Sequence, residues 1–462
     1  MQGVIILDGF EQHIKSGQRC HFVGIGGVSM SPLAELLHGS GIAVSGSDLA
    51  ESPAVERLRK LGIPVSIGHR SENAHGAGFI VRTAAARDDN AEVAYAREAG
   101  IPVFERAEAW GYIMRGYKNA VCVAGSHGKT TTTSMLTHIL LKAGVDPTVM
   151  IGGTLPVIGS GYRIGGGDTI VVESCEYYNS FHNFFPTIAV ILNIDADHLD
   201  FFGSLDNLMN SFRTFAALTP EGGTIICNGD DANTLDALTP LGRELFTFGM
   251  GESAPARVRG VNVNAAGRTP SLDILVDDQP FCKITLSVPG LYNLKNALAA
   301  AAAAISLQIP AEDIQAGLKA FTGAGRRFEF KGRINGADVY DDYAHHPEEL
   351  RALIDMVLTL DYNRVILAFQ PHTYSRTKAH FSDFAEQLRR ADVTFLTEIF
   401  AAREKNESGI TSQDLADAVP GARCFGTLSA IADEVAAIAC DGDIILTVGA
   451  GDVFKVGELL LG

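Results

Sequence analysis

The 462-residue sequence has no paired cysteines: its seven, at positions 20, 122, 175, 227, 282, 424 and 440, stand far apart and form no C-x-x-C. That spacing argues against a disulfide framework or a zinc-bound fold, and four of the thiols fall in apolar, strand-like stretches that suit buried side chains. Positive charge is also scarce. Lys and Arg number 37 against 54 Asp and Glu, a net charge of −17, which speaks against a broad nucleic-acid surface. An anionic small substrate would need a locally basic site, or one made of backbone N–H groups and metal ions. No apolar run approaches the ~18 residues of a membrane span. The alanine-rich stretch Ala297 to Ala304 comes nearest and reads as a close-packed helix. Met1 to Lys15 carries acids and no long apolar segment, so a signal peptide is not expected, and no membrane partner; the cytoplasm is the default location.

What is present suits a globular enzyme of two to three domains: 46% hydrophobic residues, 20% charged and 49 glycines. Strands alternate with helices almost throughout, the pattern of α/β layers with mostly parallel sheets. Three blocks are expected, at 1–118, 119–322 and 323–462. The first has a strand at Arg19 to Gly24, the turn Gly24-Ile25-Gly26-Gly27, a helix carrying Met30, Leu33, Leu36 and Leu37, and a second strand ending at Asp48. It reads as a Rossmann-like, mononucleotide-binding half. The second opens on the strand Asn119 to Ala124 and a helix from Thr130 to Ala143, and carries a small antiparallel excursion from about Arg257 to Val288. The third follows Gly323-Ala324-Gly325, a glycine-rich hinge, and is again doubly wound, with strands at Val339 to Tyr343, Val365 to Phe369, Val393 to Leu396 and Ile444 to Val448.

The strongest chemical signal is Gly125-Ser126-His127-Gly128-Lys129-Thr130-Thr131, set between a strand and a helix. Such a loop cradles phosphate: backbone N–H groups and the helix N-terminus hold the anion, Lys129 neutralises the terminal phosphates, and the Thr130 hydroxyl can ligate Mg²⁺. The spacing is G-x-x-G-K-T, shorter than the usual phosphate-loop pattern. Hard cations need oxygen ligands nearby, and Glu173 and His198 each follow an apolar strand, where ligand crevices open in parallel sheets. Arg326-Arg327 lies in the hinge. Asp341-Asp342-Tyr343-Ala344-His345-His346-Pro347 clusters acids and imidazoles behind another strand. His372 and Arg376 follow a third, and arginine suits a carboxylate. Gly24-Ile25-Gly26-Gly27 is not a full dinucleotide fingerprint, yet Asp48 comes 22 residues after Gly26, as a ribose-binding acid would.

Taken in order, these segments resemble the Mur ligases over essentially the whole chain. The resemblance rests on Gly24 to Met30, Gly125 to Thr132, Glu173-Ser174-Cys175-Glu176-Tyr177, Asn193 to Asp200, Pro289 to Ala297, Arg326 to Glu329, Asp341 to Pro347 and Phe369 to Thr377. It implies a UDP-sugar domain, a central ATP-binding domain and a carboxyl-terminal domain for the incoming amino acid. By the same resemblance Gly24, Gly26 and Gly27 hold the UDP diphosphate, and Asp48 and His69 face the uridine. Residues 125–131 bind ATP with Asn293, Asn296, Arg327 and Asp342. Thr130, Glu173 and His198 ligate two Mg²⁺ ions, and His345, His346 and Arg376 line the amino-acid pocket. Lys129, Glu173, His198 and Arg327 would be the catalytic set.

The family chemistry so implied is peptidoglycan-precursor synthesis. ATP phosphorylates the carboxylate of UDP-N-acetylmuramate, and the amine of L-alanine attacks the acyl phosphate through an oxyanion that cations stabilise. A monomer or homodimer is expected. The alternatives are a sister ligase that attaches a preformed peptide, a non-catalytic sugar-nucleotide regulator, and a nicotinamide dehydrogenase. The last uses only the first glycine turn and leaves Lys129, Glu173 and His198 without a role. Two departures from the family stand out: Ser126 where threonine is commoner, and the alanines of Arg82-Thr83-Ala84-Ala85-Ala86 beside the sugar-nucleotide turn.

Overall fold

A computed structural model describes residues 10–462 except 84, 253–255 and 403, and at Asp200 the backbone alone. Met1 to Gly9 of the amino-terminal segment and Ala84 of the alanine loop therefore lie outside the described residues. The chain forms two compact units. One takes Met1–Arg259, Val276–Asp278 and Ala299–Ile314; the other takes Gly260–Leu275, Gln279–Leu298 and Gln315–Gly462. The first thus includes the block 1–118 and only part of the block 119–322, whose remaining segments fall in the second unit; the last crossing between units is at Ile314 to Gln315, ahead of Gly323.

In the first unit the amino-terminal strands are β1 (Cys20–Val23), β2 (Val44–Asp48), β3 (Val65–Ile67), β4 (Phe79–Arg82) and β5 (Val103–Glu105). They form one parallel sheet in the order β3-β2-β1-β4-β5. β1 lies between β2 and β4, with Cys20 opposite both Val44 and Phe79. The chain order reverses there, and such reversals open a crevice at the carboxyl ends of the strands. The helix Met30–Gly39 buries Met30, Leu33 and Leu37, three of the four residues at helical spacing in the sequence, while Leu36 is only partly buried.

The central strands are β6 (Asn119–Ala124), β7 (Thr148–Leu155), β8 (Ser160–Arg163), β9 (Thr169–Glu173), β10 (Ile188–Ile191), β11 (Thr224–Asn228) and β12 (Phe246–Gly249). Their order is β12-β11-β10-β6-β9-β7-β8. β6 is the middle strand and is buried on both faces, which is why it reads as an unbroken apolar run. β7 and β8 form an antiparallel hairpin with an irregular register. Gly152 and Gly153 break any alternation there, so no strand is signalled by the sequence.

The excursion after Arg257 consists of β13 (Val258–Asn264), β14 (Ser271–Val276) and β15 (Gln279–Thr285). The alanine run lies in the helix Leu291–Ser306, and Ala297 to Ala304 are all essentially inaccessible, as close helix packing requires. No described helix is long and apolar enough to cross a membrane. The second unit's main sheet comprises β16 (Glu329–Ile334), β17 (Ala337–Asp342), β18 (Arg364–Phe369), β19 (Val393–Thr397), β20 (Arg423–Phe425) and β21 (Asp443–Val448), in the order β16-β17-β21-β18-β19-β20. Only β16 runs antiparallel to its neighbour.

Candidate active site

The loop from Gly125 to Gly128 leaves β6 and enters the helix Lys129–Lys142. Two glycines make its shape possible. Gly125 has φ +146°, and a Cβ there would come within 2.9 Å of the Leu192 Cβ. Gly128 caps the helix with φ +84°, a left-handed conformation that a side chain would strain. The loop is fastened to the end of β10. Ser126 N donates to Asn193 O at 3.1 Å, His127 N donates to Asn193 Oδ1 at 2.8 Å, and Asp195 N donates to Ser126 Oγ at 2.9 Å. Serine therefore does at position 126 what a threonine hydroxyl would do. His127 Nε2 lies 3.5 Å from Asp195 Oδ2.

Lys129 Nζ donates to Gly125 O at 2.5 Å and to Ser126 O at 3.1 Å, and it stands 3.0 Å from Glu176 Oε2. Burial opposes its charge, but Glu176, itself 1% exposed, more than offsets that and holds the ammonium strongly protonated. Thr130 Oγ1 donates to Glu173 Oε1 at 2.9 Å, and Gly152 N donates to Glu173 Oε2 at 2.6 Å. A Cβ at Gly152 would sit 2.8 Å from Glu173 Oε1, so the hairpin's glycine is what lets the carboxylate lie flat against backbone. Thr131 is buried in the first helical turn. His198, with φ +54°, stacks on Tyr177 at 4.4 Å and approaches Glu176 Oε1 at 3.8 Å. The structure thus joins Thr130 to Glu173 and joins Lys129 and His198 to Glu176. Glu176 belongs to the Glu173-to-Tyr177 segment, but Lys129 is 47 residues away and no local signal reveals the pairing.

The donor set suits Mg²⁺. A hydroxyl and a carboxylate are hard oxygen ligands, and Mg²⁺ usually takes one or two carboxylates, completing its shell with phosphate oxygens and water. Among the described residues no group of three His, Cys, Asp or Glu is placed to hold a metal ion by itself.

At the first glycine turn, Gly26 N donates to Asp48 Oδ2 at 2.8 Å, and Leu49 N donates to Asp48 Oδ1 at 2.8 Å. Gly24 has φ +81°, and a Cβ there would lie 2.7 Å from Thr83 Cγ2. Gly24, Gly26, Gly27, Asp48 and His69 all line one open cavity of about 620 Å³, shared with Ala85, Ala86 and Arg87 of the alanine loop. Beneath it lies a network that the sequence did not announce. Glu92 is fully buried, accepting from Ser47 Oγ at 2.6 Å, Asn73 Nδ2 at 2.7 Å and Arg70 N at 3.1 Å, with His21 Nε2 at 3.1 Å. His69 Nδ1 reaches Ser47 Oγ at 2.9 Å and so is oriented through Glu92.

Burial alone would raise the Glu92 pKa, yet the hydrogen bonds from His21, Ser47 and Asn73 carry it down to about 2. Its stabilising effect is therefore present above the ordinary value of 4.5 and lost as pH falls through about 2. Glu92→Leu leaves several buried donors without an acceptor. It is expected to lower stability by about 3 kcal/mol in urea denaturation at pH 7. A denaturation midpoint equal to wild type would contradict the network's role.

The second unit carries the remaining residues. Asn293 is buried and donates through Nδ2 to Pro289 O at 2.7 Å; Asn296, three residues on, is half-buried on the same helix face. The two hinge arginines separate in role. Arg326 is locked in place, donating to Asp341 Oδ2 at 2.9 Å and to the carbonyls of Gly449 and Gly451. Arg327 lies over the Tyr343 ring at 5.2 Å. Asp342 accepts from Phe328 N at 2.7 Å and Ala344 N at 2.8 Å. His345 and Arg376 converge on His372: the imidazoles lie 5.6 Å apart, and Arg376 Nη1 is 3.2 Å from His372 Nδ1. Burial, with His345 and Arg376 adding to it, lowers the His372 pKa to about 4, so that ring is neutral at physiological pH. His346 instead packs on His380 at 4.7 Å and caps the helix Pro347–Val357.

Burial raises the Asp342 pKa to about 6, against the pull of Arg327 and of the Ala344 and Phe328 N–H groups. A raised carboxyl stabilises the fold fully below its ordinary 3.8, and that contribution is lost as pH rises through about 6. If ionised Asp342 serves the nucleotide, kcat/KM for ATP should climb through about pH 6. Asp342→Asn should remove that limb, and a pH–rate profile with an unchanged limb would refute the assignment.

Fold and site together define an α/β protein with a phosphate-type loop on a central, mostly parallel sheet and an open cavity at a second glycine turn. Three family models match in succession: "Mur ligase family, catalytic domain" over residues 19–118, "Mur ligase middle domain" over 123–304 and "Mur ligase, glutamate ligase domain" over 326–451. The chain belongs to the Mur ligase family. It is 42% identical to the UDP-N-acetylmuramate–L-alanine ligase of Caldanaerobacter subterraneus subsp. tengcongensis, across 98% of this chain and 99% of that one. It is also 42% identical to the enzyme of that name from Clostridium perfringens, across 96% and 98%. The crystal structure of the UDP-N-acetylmuramate-alanine ligase of Thermotoga maritima superposes with TM-score 0.79 at 28% identity, covering 96% of this chain and 98% of that one. A murein peptide ligase from Psychrobacter arcticus shares the fold, with TM-score 0.69 at 23% identity.

Proposed function

We infer that the chain joins L-alanine to the carboxylate of UDP-N-acetylmuramate at the expense of ATP, in the cytoplasm, as a step of peptidoglycan-precursor synthesis. One observation carries the reading: near-full-length similarity, at 42% identity, to enzymes named for this reaction. The geometry agrees with it. The loop N–H groups and Lys129 suit the polyphosphate of ATP, and the domain assignments of 1–118, 119–322 and 323–462 follow from it as UDP-sugar, ATP and amino-acid domains.

In this reading Gly24, Gly26 and Gly27 admit the diphosphate close to backbone, while Asp48 and His69 orient the uridine. Lys129 trades part of its contact with Glu176 for the terminal phosphates and steadies charge as the phosphoryl group moves to the sugar carboxylate. Mg²⁺, held by Thr130 and Glu173 with His198 alongside, would supply positive charge that lowers repulsion between the two anionic reactants. The products of this first step are ADP and an acyl phosphate. The amine of L-alanine then displaces phosphate, with Arg376 placed for the amino-acid carboxylate and His345 beside it. Asn293, Asn296, Arg327 and Asp342 are assigned to ATP.

The test is phosphate release from ATP by the whole enzyme with Mg²⁺. Release should require UDP-N-acetylmuramate and L-alanine together. Release that proceeds without the sugar nucleotide, or that accepts only a tripeptide, would overturn the reading.

A further inference from the structure

Arg106 opens the helix Arg106–Met114 directly after β5. Its guanidinium donates through Nη1 to the hydroxyl of Ser29. Ser29 holds the N-cap position of the helix that follows the glycine turn, yet its hydroxyl makes no capping bond there. Its carbonyl accepts from Trp110 Nε1 at 3.0 Å, so one helix grips the end of the turn through two residues.

Other arginines of the amino-terminal region are already matched. Arg57 pairs with Glu35, Arg59 with Glu51, and Arg82 with both Asp88 and Glu105. Arg106 is half-buried, and among the described residues its contact is the neutral Ser29 hydroxyl, with no carboxylate at ion-pair distance. Burial disfavours its charge, and the titratable groups near enough to favour it are Cys175 and Glu105. Glu105 is engaged by Arg82, and Cys175 stands between Glu173 and Glu176. The guanidinium therefore lies at the end of the glycine turn, near enough to Cys175 and Glu105 for their charges to act on it. A partly desolvated cation without a counter-ion is costly in the free protein and gains when an anion arrives.

We propose that Arg106 is a substrate-binding residue that receives an anionic oxygen group of the sugar nucleotide, its diphosphate or its lactyl carboxylate, at the end of the glycine turn. This rests on the reading of that turn as the UDP-sugar site. Arginine is suited to the task because its planar fork meets a phosphate or carboxylate with two hydrogen bonds.

Calorimetric titration of the whole enzyme with UDP-N-acetylmuramate, UDP-N-acetylglucosamine and ATP tests it. Binding of UDP-N-acetylmuramate by the wild type establishes the underlying reading independently of any variant. Arg106→Ala should then weaken UDP-N-acetylmuramate by about ten- to a hundredfold and leave ATP unchanged, with Arg106→Lys in between. An equal loss for both sugar nucleotides identifies the diphosphate as the group received; a loss confined to UDP-N-acetylmuramate identifies the carboxylate. Unchanged sugar-nucleotide affinity in Arg106→Ala overturns the proposal. So does an equal loss in Ser29→Ala, which would mean that Arg106 acts only by holding the turn. Should Arg106→Ala fail to fold, Arg106→Gln, which can keep the Ser29 contact without the charge, carries the same comparison.

Discussion

Lys129→Ala is expected to reduce ATP-dependent phosphate release by at least about a thousandfold, because it removes the cation we assign to the transferred phosphoryl group. Affinity for UDP-N-acetylmuramate should stay near wild type, since the glycine turn and its Glu92 network belong to a different sheet. The variant has a second effect that must be separated from the first. Glu176 is 1% exposed and would lose its ammonium partner, and an uncompensated buried charge costs about 3–5 kcal/mol. The double variant Lys129→Ala/Glu176→Gln resolves this: stability should recover while turnover does not. Recovery of turnover with stability would show that Lys129 is structural, and parallel loss of sugar-nucleotide binding would undo the two-site arrangement.

Glu173→Ala should have the next largest effect, a fall in kcat of about a hundred- to a thousandfold with a raised requirement for Mg²⁺. The carboxylate accepts from Thr130 Oγ1 and Gly152 N on opposite oxygens, so its position is set before any ligand binds. Thr130→Val, which removes the hydroxyl and keeps the shape, should shift the Mg²⁺ dependence in the same direction by less. Measuring initial rates across Mg²⁺ concentrations decides the matter. A kcat within tenfold of wild type and an unmoved Mg²⁺ half-saturation in Glu173→Ala would remove Glu173 from the metal site.

Much of this architecture is legible in the sequence because its causes are local. The strand Asn119–Ala124 reads as buried on both faces because it is, and Gly128 followed by Lys129 announces a loop that must turn sharply into a helix. What escapes is pairing across distance. Glu92 follows Ala91 in a short helix and looks like a surface acid; only the fold places His21 and Ser47 against it. Adjacent residues also part company in ways no pattern predicts. Both hinge arginines lie over Tyr343 but only Arg326 is also fixed by Asp341, and His345 turns to His372 while His346 turns to His380. The hairpin β7–β8 escapes because Gly152 and Gly153 interrupt any alternation, and Gly152 serves Glu173.

The fastening of residues 126 and 127 to Asn193 and Asp195 has a pharmacological corollary. The loop is held in place by a latch in the segment that follows β10, outside the loop itself. A small molecule that prised this latch open would disarm the enzyme without contesting ATP for its own pocket, and abundant cellular nucleotide would not simply displace it. Its kinetic signature would be a falling maximal rate that added ATP fails to restore.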